Sequence, residues 1–221
     1  MELIEAIQNR HSVRQYAEKP IETEVLNALQ AEIDACNQES GLHIQLVTDE
    51  PRAFQSFMAH YGKFRGVRNY IALVGKKSDQ LNELCGYYGE RLVLKAQQLG
   101  LNTCWVALTY KKISGAFHVG TGEKLTVVIS LGYGETQGTP HPSKSPQEVS
   151  NVSKASPDWF RAGVHAALLA PTAMNQQKFT LTYTDGRVRA KAGRGFYTKV
   201  DLGIVKYHFE IGAGREHFAW K

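Results

Sequence analysis

An α+β fold is predicted for this 221-residue chain by three observations. Apolar residues recur at helical spacing, runs of strand length interrupt them, and a stretch rich in Gly, Pro, Ser and Thr separates an earlier block from a later one. Leu3, Ile4 and Ile7 form one face of a short helix over 2–8, which delivers Arg10 to Arg14 at its carboxyl end. Pro20 opens a second helix, whose Val25, Leu26, Leu29 and Ile33 recur at helical spacing until Gly41. Residues 42–47 alternate like a strand, a helix is predicted over 51–59, and a strand over 70–74. Leu92, Val93, Ala96 and Leu99 predict a buried helix over 89–99 stopped by Gly100, and 125–131 is a continuous apolar strand. Residues 132–156, with Pro140, Pro142 and Pro146, mark the boundary, so the expected halves are 1–150 and 151–221. The second block carries a helix over 159–169, a strand over 179–183 and a helix over 201–211 ending at Gly212. That order repeats the first block, which is read either as an internal duplication or as the helix-strand pairing any α+β protein offers.

Composition narrows the function classes. With 43% hydrophobic and 21% charged residues, the chain can bury one sizeable core or two small packed halves. A net charge of +5 suits an anionic cofactor, but no Lys/Arg stripe with interleaved aromatics points to nucleic acid. Apolar runs such as 166–170 fall far short of the roughly 20 residues a membrane span needs. The acidic start Met-Glu-Leu-Ile-Glu-Ala-Ile lacks the basic flank of a secretory signal, so a cytoplasmic protein is expected. Cys36, Cys85 and Cys104 have no CxxC spacing and are read as reduced thiols. The eight histidines show no paired ligand spacing, so no metal is expected, and His165 and His208 are read as packed or interfacial. Gly115 to Thr121 lacks the Gly-Lys-Ser/Thr end of a phosphate loop and is read as a turn before a strand.

Two separated segments carry the chemistry. Arg10-His11-Ser12-Val13-Arg14 sets two guanidiniums about a hydroxyl, a donor set that suits a phosphate dianion; the bland reading is a pair of solvated charges at a helix end. Pro171-Thr172-Ala173-Met174-Asn175-Gln176-Gln177 reads, on its own, as a helix stop followed by a turn. With the helix before it, Tyr16 after it and the run of Pro20, Ile21, Glu24 and Leu26, the first segment resembles the FMN phosphate and ribityl element of the nitroreductase/FMN reductase family. Pro171, Thr172, Asn175 and Gln177 match the Pro-Ser-x-x-Asn-x-Gln-Pro element of the same family, with Lys178 at the last position. Family members carry that element after their second helix, where this chain has the unmatched 35–40, and use it to reach the flavin of the other subunit. Residues 99–107 resemble the family's Gly-Leu-x-x-x-Trp-x-x segment, which implies that Ala107 and Leu108 lie where a backbone N–H meets flavin N5. Trp105 alone reads as core. Leu131 to Gly134, leading to Ser143-Lys144-Ser145-Pro146, resembles the family's strand-Gly-Tyr-Pro element, and Lys144 is implied as a third positive charge on the phosphate. Lys63 falls where the family places a lysine near the flavin pyrimidine; otherwise it is a solvated lysine beside Arg65 and Arg68.

The resemblance implies a nitroreductase-like fold of mixed, mainly antiparallel sheets flanked by helices, in two pseudo-symmetric halves that mimic the family homodimer. Residues 1–150 would carry the FMN phosphate site and 151–221 would complete the pocket. The implied cofactor-binding residues are Arg10, His11, Ser12, Arg14, Lys63, Ala107, Leu108, Lys144, Pro171, Thr172, Asn175 and Gln177, with no catalytic side chain, since the flavin carries the chemistry. The implied activity takes hydride from NADH or NADPH and passes it by ping-pong transfer to a small acceptor such as a nitroaromatic or quinone. A monomer with one FMN and a small-molecule substrate is expected. The alternatives are a non-catalytic flavin-binding or flavin-storage protein and a small interaction domain.

Overall fold

The computed structural model, which describes residues 1–221, begins with helix α1 (Leu3–Asn9), whose Ala6 and Ile7 are buried while Leu3 and Ile4 stay exposed. Helix α2 (Thr23–Ser40) buries Leu29, Ile33 and Cys36 and ends as expected at Gly41, which adopts φ 69° and returns its N–H to Asn37. Strand β1 (Gln45–Val47) is shorter than the expected 42–47. His43 N still donates to Val74 O at 2.8 Å, and on the free edge the Asn37 amide donates to the Ile44 carbonyl at 2.9 Å and accepts the Ile44 N–H at 2.7 Å. The helix expected over 51–59 is divided into a 3₁₀ turn at Pro51–Phe54 and helix α3 (Phe57–Tyr61), because the Ser56 side chain accepts from Ala59 N and starts a new helix.

Strand β2 (Asn69–Lys76) is followed by helix α4 (Leu81–Gln98), which starts eight residues before the expected 89–99 and runs through Gly86 and Gly89. Two further strands, β3 (Asn102–Val106) and β4 (Glu123–Gly132), complete a four-stranded sheet of order β1-β2-β4-β3, antiparallel throughout. Its apolar face meets a cluster that includes Phe54, Phe64, Tyr70, Ala72, Val74, Val106 and Val128. Arg91 on α4 reaches Glu32 at 2.5 Å and Glu39 at 2.8 Å on α2, which fastens the two helices of this unit.

The later block contains helices α5 (Pro146–Val149) and α6 (Asp158–Leu168), strands β5 (Phe179–Thr184) and β6 (Arg187–Ala192), helix α7 (Thr198–Ala213) and strand β7 (Ala219–Trp220). β5 pairs antiparallel with β6, and β6 parallel with β7. Helix α7 does not stop at Gly212; it continues to a cap at Gly214, φ 77°. Gly212 is needed for close packing, since a Cβ there would lie 2.5 Å from Ala166 Cβ and 2.8 Å from Ala162 O on α6. The same logic explains Gly86 inside α4. A Cβ on Gly86 would meet Val200 O at 2.0 Å, and one on Gly203 would meet Glu83 O at 2.0 Å, so the helices touch backbone to backbone. Along this crossing Tyr87 donates to Glu210, Lys206 meets Glu83 at 2.8 Å, and the fully buried His208 pairs with Glu90 at 2.8 Å. His208 is thus packed, as expected, whereas His165 is exposed.

The chain forms two compact units whose membership is interleaved along the sequence. The three-strand unit comprises Met1–Asn9, Asn82–Glu90 and Pro140–Lys221; the four-strand unit comprises Arg10–Leu81 and Arg91–Thr139. The reason is local: α1 and the first half of α4 pack on α7, and the glycine crossing draws Asn82–Glu90 to that helix. No helix is long and apolar enough to cross a membrane.

Candidate functional site

In the four-strand unit, the segment leaving α1 is fixed by main-chain bonds on three sides. Ser12 bridges Thr103, and Val13 N donates to Thr103 O at 3.0 Å. Arg65 N donates to Arg14 O and Tyr16 N to Arg65 O, each at 3.0 Å, while Ala17 N reaches Tyr133 O at 2.8 Å and Glu135 N reaches Gln15 O at 3.0 Å. Glycines permit these approaches: a Cβ on Gly66 would lie 2.2 Å from Tyr16 O, and one on Gly138 would lie 2.8 Å from the His11 Cβ. Tyr16 anchors the far end, its buried hydroxyl donating to Val13 O at 2.8 Å and lying 2.8 Å from Ser130 Oγ.

Burial pushes the Cys104 thiol upward, while the positive charge of Arg14, a hydrogen bond from Ser12 and the charge of Arg10 pull it down without prevailing. Ser12 therefore contacts the buried sulfur, and both arginines lie within its electrostatic reach. Arg10 is only 3% exposed, which removes the reading of two solvated surface charges, although Arg14 does face solvent. His11 is half-buried under Gly138 and serves the turn. Cys104, expected only as a reduced thiol, follows Thr103, the residue to which Ser12 and Val13 are paired, and nothing local in residues 99–107 announces that position.

Lys63 and the 107–108 segment are brought close in the same unit. Lys63 is exposed at φ 62°, and a Cβ on the adjacent Gly62 would lie 2.8 Å from Thr109. Ala107 is half-buried and Leu108 is 60% exposed at the end of β3. Around them Phe57 and Tyr61, 83% and 78% exposed, present aromatic faces to solvent.

In the three-strand unit, Lys144, Thr172, Asn175 and Gln177 form one knot. Gln177 is 3% exposed; its carbonyl oxygen accepts Lys144 N at 2.9 Å, and its amide donates to Pro142 O and Asn175 Oδ1 at 2.9 Å. Lys144 Nζ reaches the Gln177 backbone carbonyl at 3.1 Å, Asn175 donates to Pro142 O at 2.8 Å, and Thr172 Oγ1 accepts Gln177 N at 3.0 Å. Lys144 had been expected at the phosphate end and the Asn175 element at the ring or ribityl region, yet here their polar groups satisfy one another. Pro171 is half-buried just after α6 and starts the turn.

The turn is strained: Met174, Asn175 and Gln177 sit at φ 52°, 52° and 45°. Asp201, a residue without a sequence motif to announce it, holds the turn from α7. Its two carboxylate oxygens accept Ala173 N at 2.9 Å and Gln176 Nε2 at 2.7 Å. Burial pushes the Asp201 carboxyl up to about 6 against the pull of those two donors.

Comparison with known proteins adds to this geometry. The family model described as "Putative TM nitroreductase" matches residues 2–213. The crystal structure of a "putative nitroreductase" from Thermotoga maritima is similar at 23% identity and TM-score 0.71, over 98% of this chain and 85% of that one. A "putative nitroreductase in complex with FMN" from Desulfovibrio desulfuricans is similar at 16% identity and TM-score 0.55, over 71% of this chain and 99% of that one. A "Putative NADH dehydrogenase/NAD(P)H nitroreductase" from Parabacteroides distasonis follows at 22% identity and TM-score 0.52, over 70% and 98%. A comparison with curated proteins finds no match. The fold is thus nitroreductase-like α+β, with antiparallel sheets and helices, and the match across residues 2–213 makes the chain a member of the "Putative TM nitroreductase" family.

Proposed function

We propose that the chain is an FMN-dependent NAD(P)H oxidoreductase of nitroreductase type. The observation that carries the proposal is the Arg10-x-Ser12-x-Arg14 segment held by main-chain bonds from Thr103, Arg65, Tyr133 and Glu135. Two permanently charged forks and a hydroxyl suit a phosphate monoester, and a pinned backbone lowers the ordering cost of binding one. FMN, when bound, would supply hydride transfer from NADH or NADPH to a small acceptor such as a nitroaromatic or quinone. In this reading Arg10, Ser12 and Arg14 hold the phosphate, Lys63 places positive charge near the pyrimidine edge, and Ala107 or Leu108 offers a backbone N–H to the ring.

The finer reading is a single-chain, internally duplicated relative of the homodimers, monomeric and cytoplasmic, with one FMN. Its support is the order α2-β1-α3-β2-α4 beside α6-β5-β6-α7: each holds an antiparallel strand pair between a first and a last helix, the earlier one with α3 inserted between its strands. The test is the absorption spectrum of the purified protein, with and without added FMN, followed by anaerobic titration with NADH and NADPH. Flavin at one per chain that bleaches with either donor is expected. A protein that cannot be loaded with FMN overturns the proposal, as does bound flavin that stays oxidised in excess of both donors; two flavins per chain overturn the duplicated-site reading.

A further inference from the structure

Beyond the flavin motif, the strongest unassigned feature is an open groove of about 610 Å³ in the four-strand unit, lined by Arg52, Gln55, Ser56, Lys111, Lys112, Ile113 and Ser114. Three cations and no carboxylate line it. Glu50 engages the Arg52 guanidinium from outside the lining, with Arg52 Nε donating at 2.7 Å, so the lysines supply the unneutralised charge. Lys111 and Lys112 are both exposed, and the lysine loop is fixed by Lys111 N donating to Ala53 O at 2.7 Å. Holding like charges together on a tethered loop disfavours the empty site and favours an anion. The hydroxyls of Ser56 and Ser114 and the Gln55 amide add neutral donors suited to phosphate oxygens. Phe57 follows Ser56 directly and is 83% exposed, a free aromatic face of the kind on which a purine stacks.

We infer that this groove binds the phosphorylated adenosine end of a dinucleotide, and that Lys111 and Lys112 recognise a ribose 2′-phosphate, making NADPH the preferred electron donor. The inference rests on the oxidoreductase reading for the word donor, though not for the ligand chemistry. Leu108, implied at the flavin edge, precedes Lys111 by three residues, a chain distance of at most about 11 Å. One extended dinucleotide can therefore serve both places. A 2′-phosphate carries the charge that separates NADPH from NADH, and cationic side chains at that position are the usual basis of the distinction.

The experiment is calorimetric titration of the full-length protein with adenosine 2′,5′-bisphosphate, 5′-AMP and inorganic phosphate. The bisphosphate is expected to bind at least about tenfold tighter than either of the others, and Lys111→Ala/Lys112→Ala to remove about that advantage. Phe57→Ala should weaken both adenosine ligands alike. Lys76→Ala/Lys77→Ala, an exposed pair outside the groove, serves as the charge control and should leave the bisphosphate affinity unchanged. Equal affinity for bisphosphate and 5′-AMP overturns the inference, and so does bisphosphate binding indifferent to the lysine pair. Inorganic phosphate binding as tightly as the bisphosphate also overturns it, leaving a simple anion site. If the protein reduces flavin, the ratio of KM for NADPH to KM for NADH should rise about tenfold in the lysine double variant. Since the titrations need no turnover, failure of the flavin proposal and failure of the groove assignment are read separately.

Discussion

Residues 10–17 and residues 170–177 both leave a helix and enter a dense set of hydrogen bonds, but the first is tied by its main chain and the second by its side chains. In the first, backbone N–H and C=O groups from Val13 to Ala17 meet Thr103, Arg65, Tyr133 and Glu135, and Gly66 and Gly138 clear the space. The Arg14 side chain faces solvent. In the second, Thr172, Asn175, Gln177, Lys144 and Asp201 use their side chains to hold a turn with three left-handed residues. The contrast teaches where a substitution should be felt. A change at the exposed Arg14 should register as lost binding, and one at Asn175 or Asp201 in the second set as lost order.

The largest expected effect breaks the main-chain clamp. Gly66→Ala puts a Cβ against Tyr16 O at φ 70°, combining left-handed strain with a backbone clash, and should cost about 3 kcal/mol in denaturant unfolding. A loss below about 1 kcal/mol would mean that the segment is not clamped.

Next comes the carboxylate beneath the other loop. Asp201 holds its proton up to about 6 in the folded state against 3.8 as its ordinary value. The folded state therefore binds more protons than the unfolded chain between about pH 4 and 6, and its contribution to stability falls by about 2 to 3 kcal/mol as pH rises through that window. Asp201→Asn should flatten this slope and increase protease cutting at residues 173–177. Unchanged pH dependence would remove Asp201 as the support of the turn.

Arg14→Ala sharpens the comparison from the binding side. FMN affinity should fall about tenfold to a hundredfold, while unfolding stability stays within about 0.5 kcal/mol, since the side chain is exposed. Equal losses in both would erase the contrast. The smallest effect is expected at Met174, 82% exposed at φ 52°, where glycine relieves the strain but loosens the unfolded chain. Met174→Gly should be neutral to about 0.5 kcal/mol stabilising by thermal unfolding.

These differences also mark how much could be read in advance. Regular helices with a local end signal were legible, as with α2 and its Gly41 cap, because spacing and cap lie within a few residues of each other. Gly212 misled, since a stopping glycine and a packing glycine look alike until the facing Ala162 and Ala166 are known. Likewise the pairing of β3 depends on a partner strand at 123–132. At the candidate site, the charged residue types of Arg10 to Arg14 were legible. The contact of Ser12 with Cys104 and the grip of Asp201 on Ala173 were not, because both depend on contacts made across the fold rather than along the chain.

The crossing of Gly86 over Gly203 has a consequence for how the protein is made. The unit containing it is built from three pieces of chain, and its buried His208–Glu90 pair joins residues 118 apart. At roughly 5 to 20 residues per second of synthesis, the first half of α4 waits roughly 6 to 24 s for its partner helix to be made. During that interval its notched, glycine-marked face is uncovered on the nascent chain. The four-strand unit, complete by residue 139, can settle while the ribosome is still at work, so folding should proceed from the inserted unit outward.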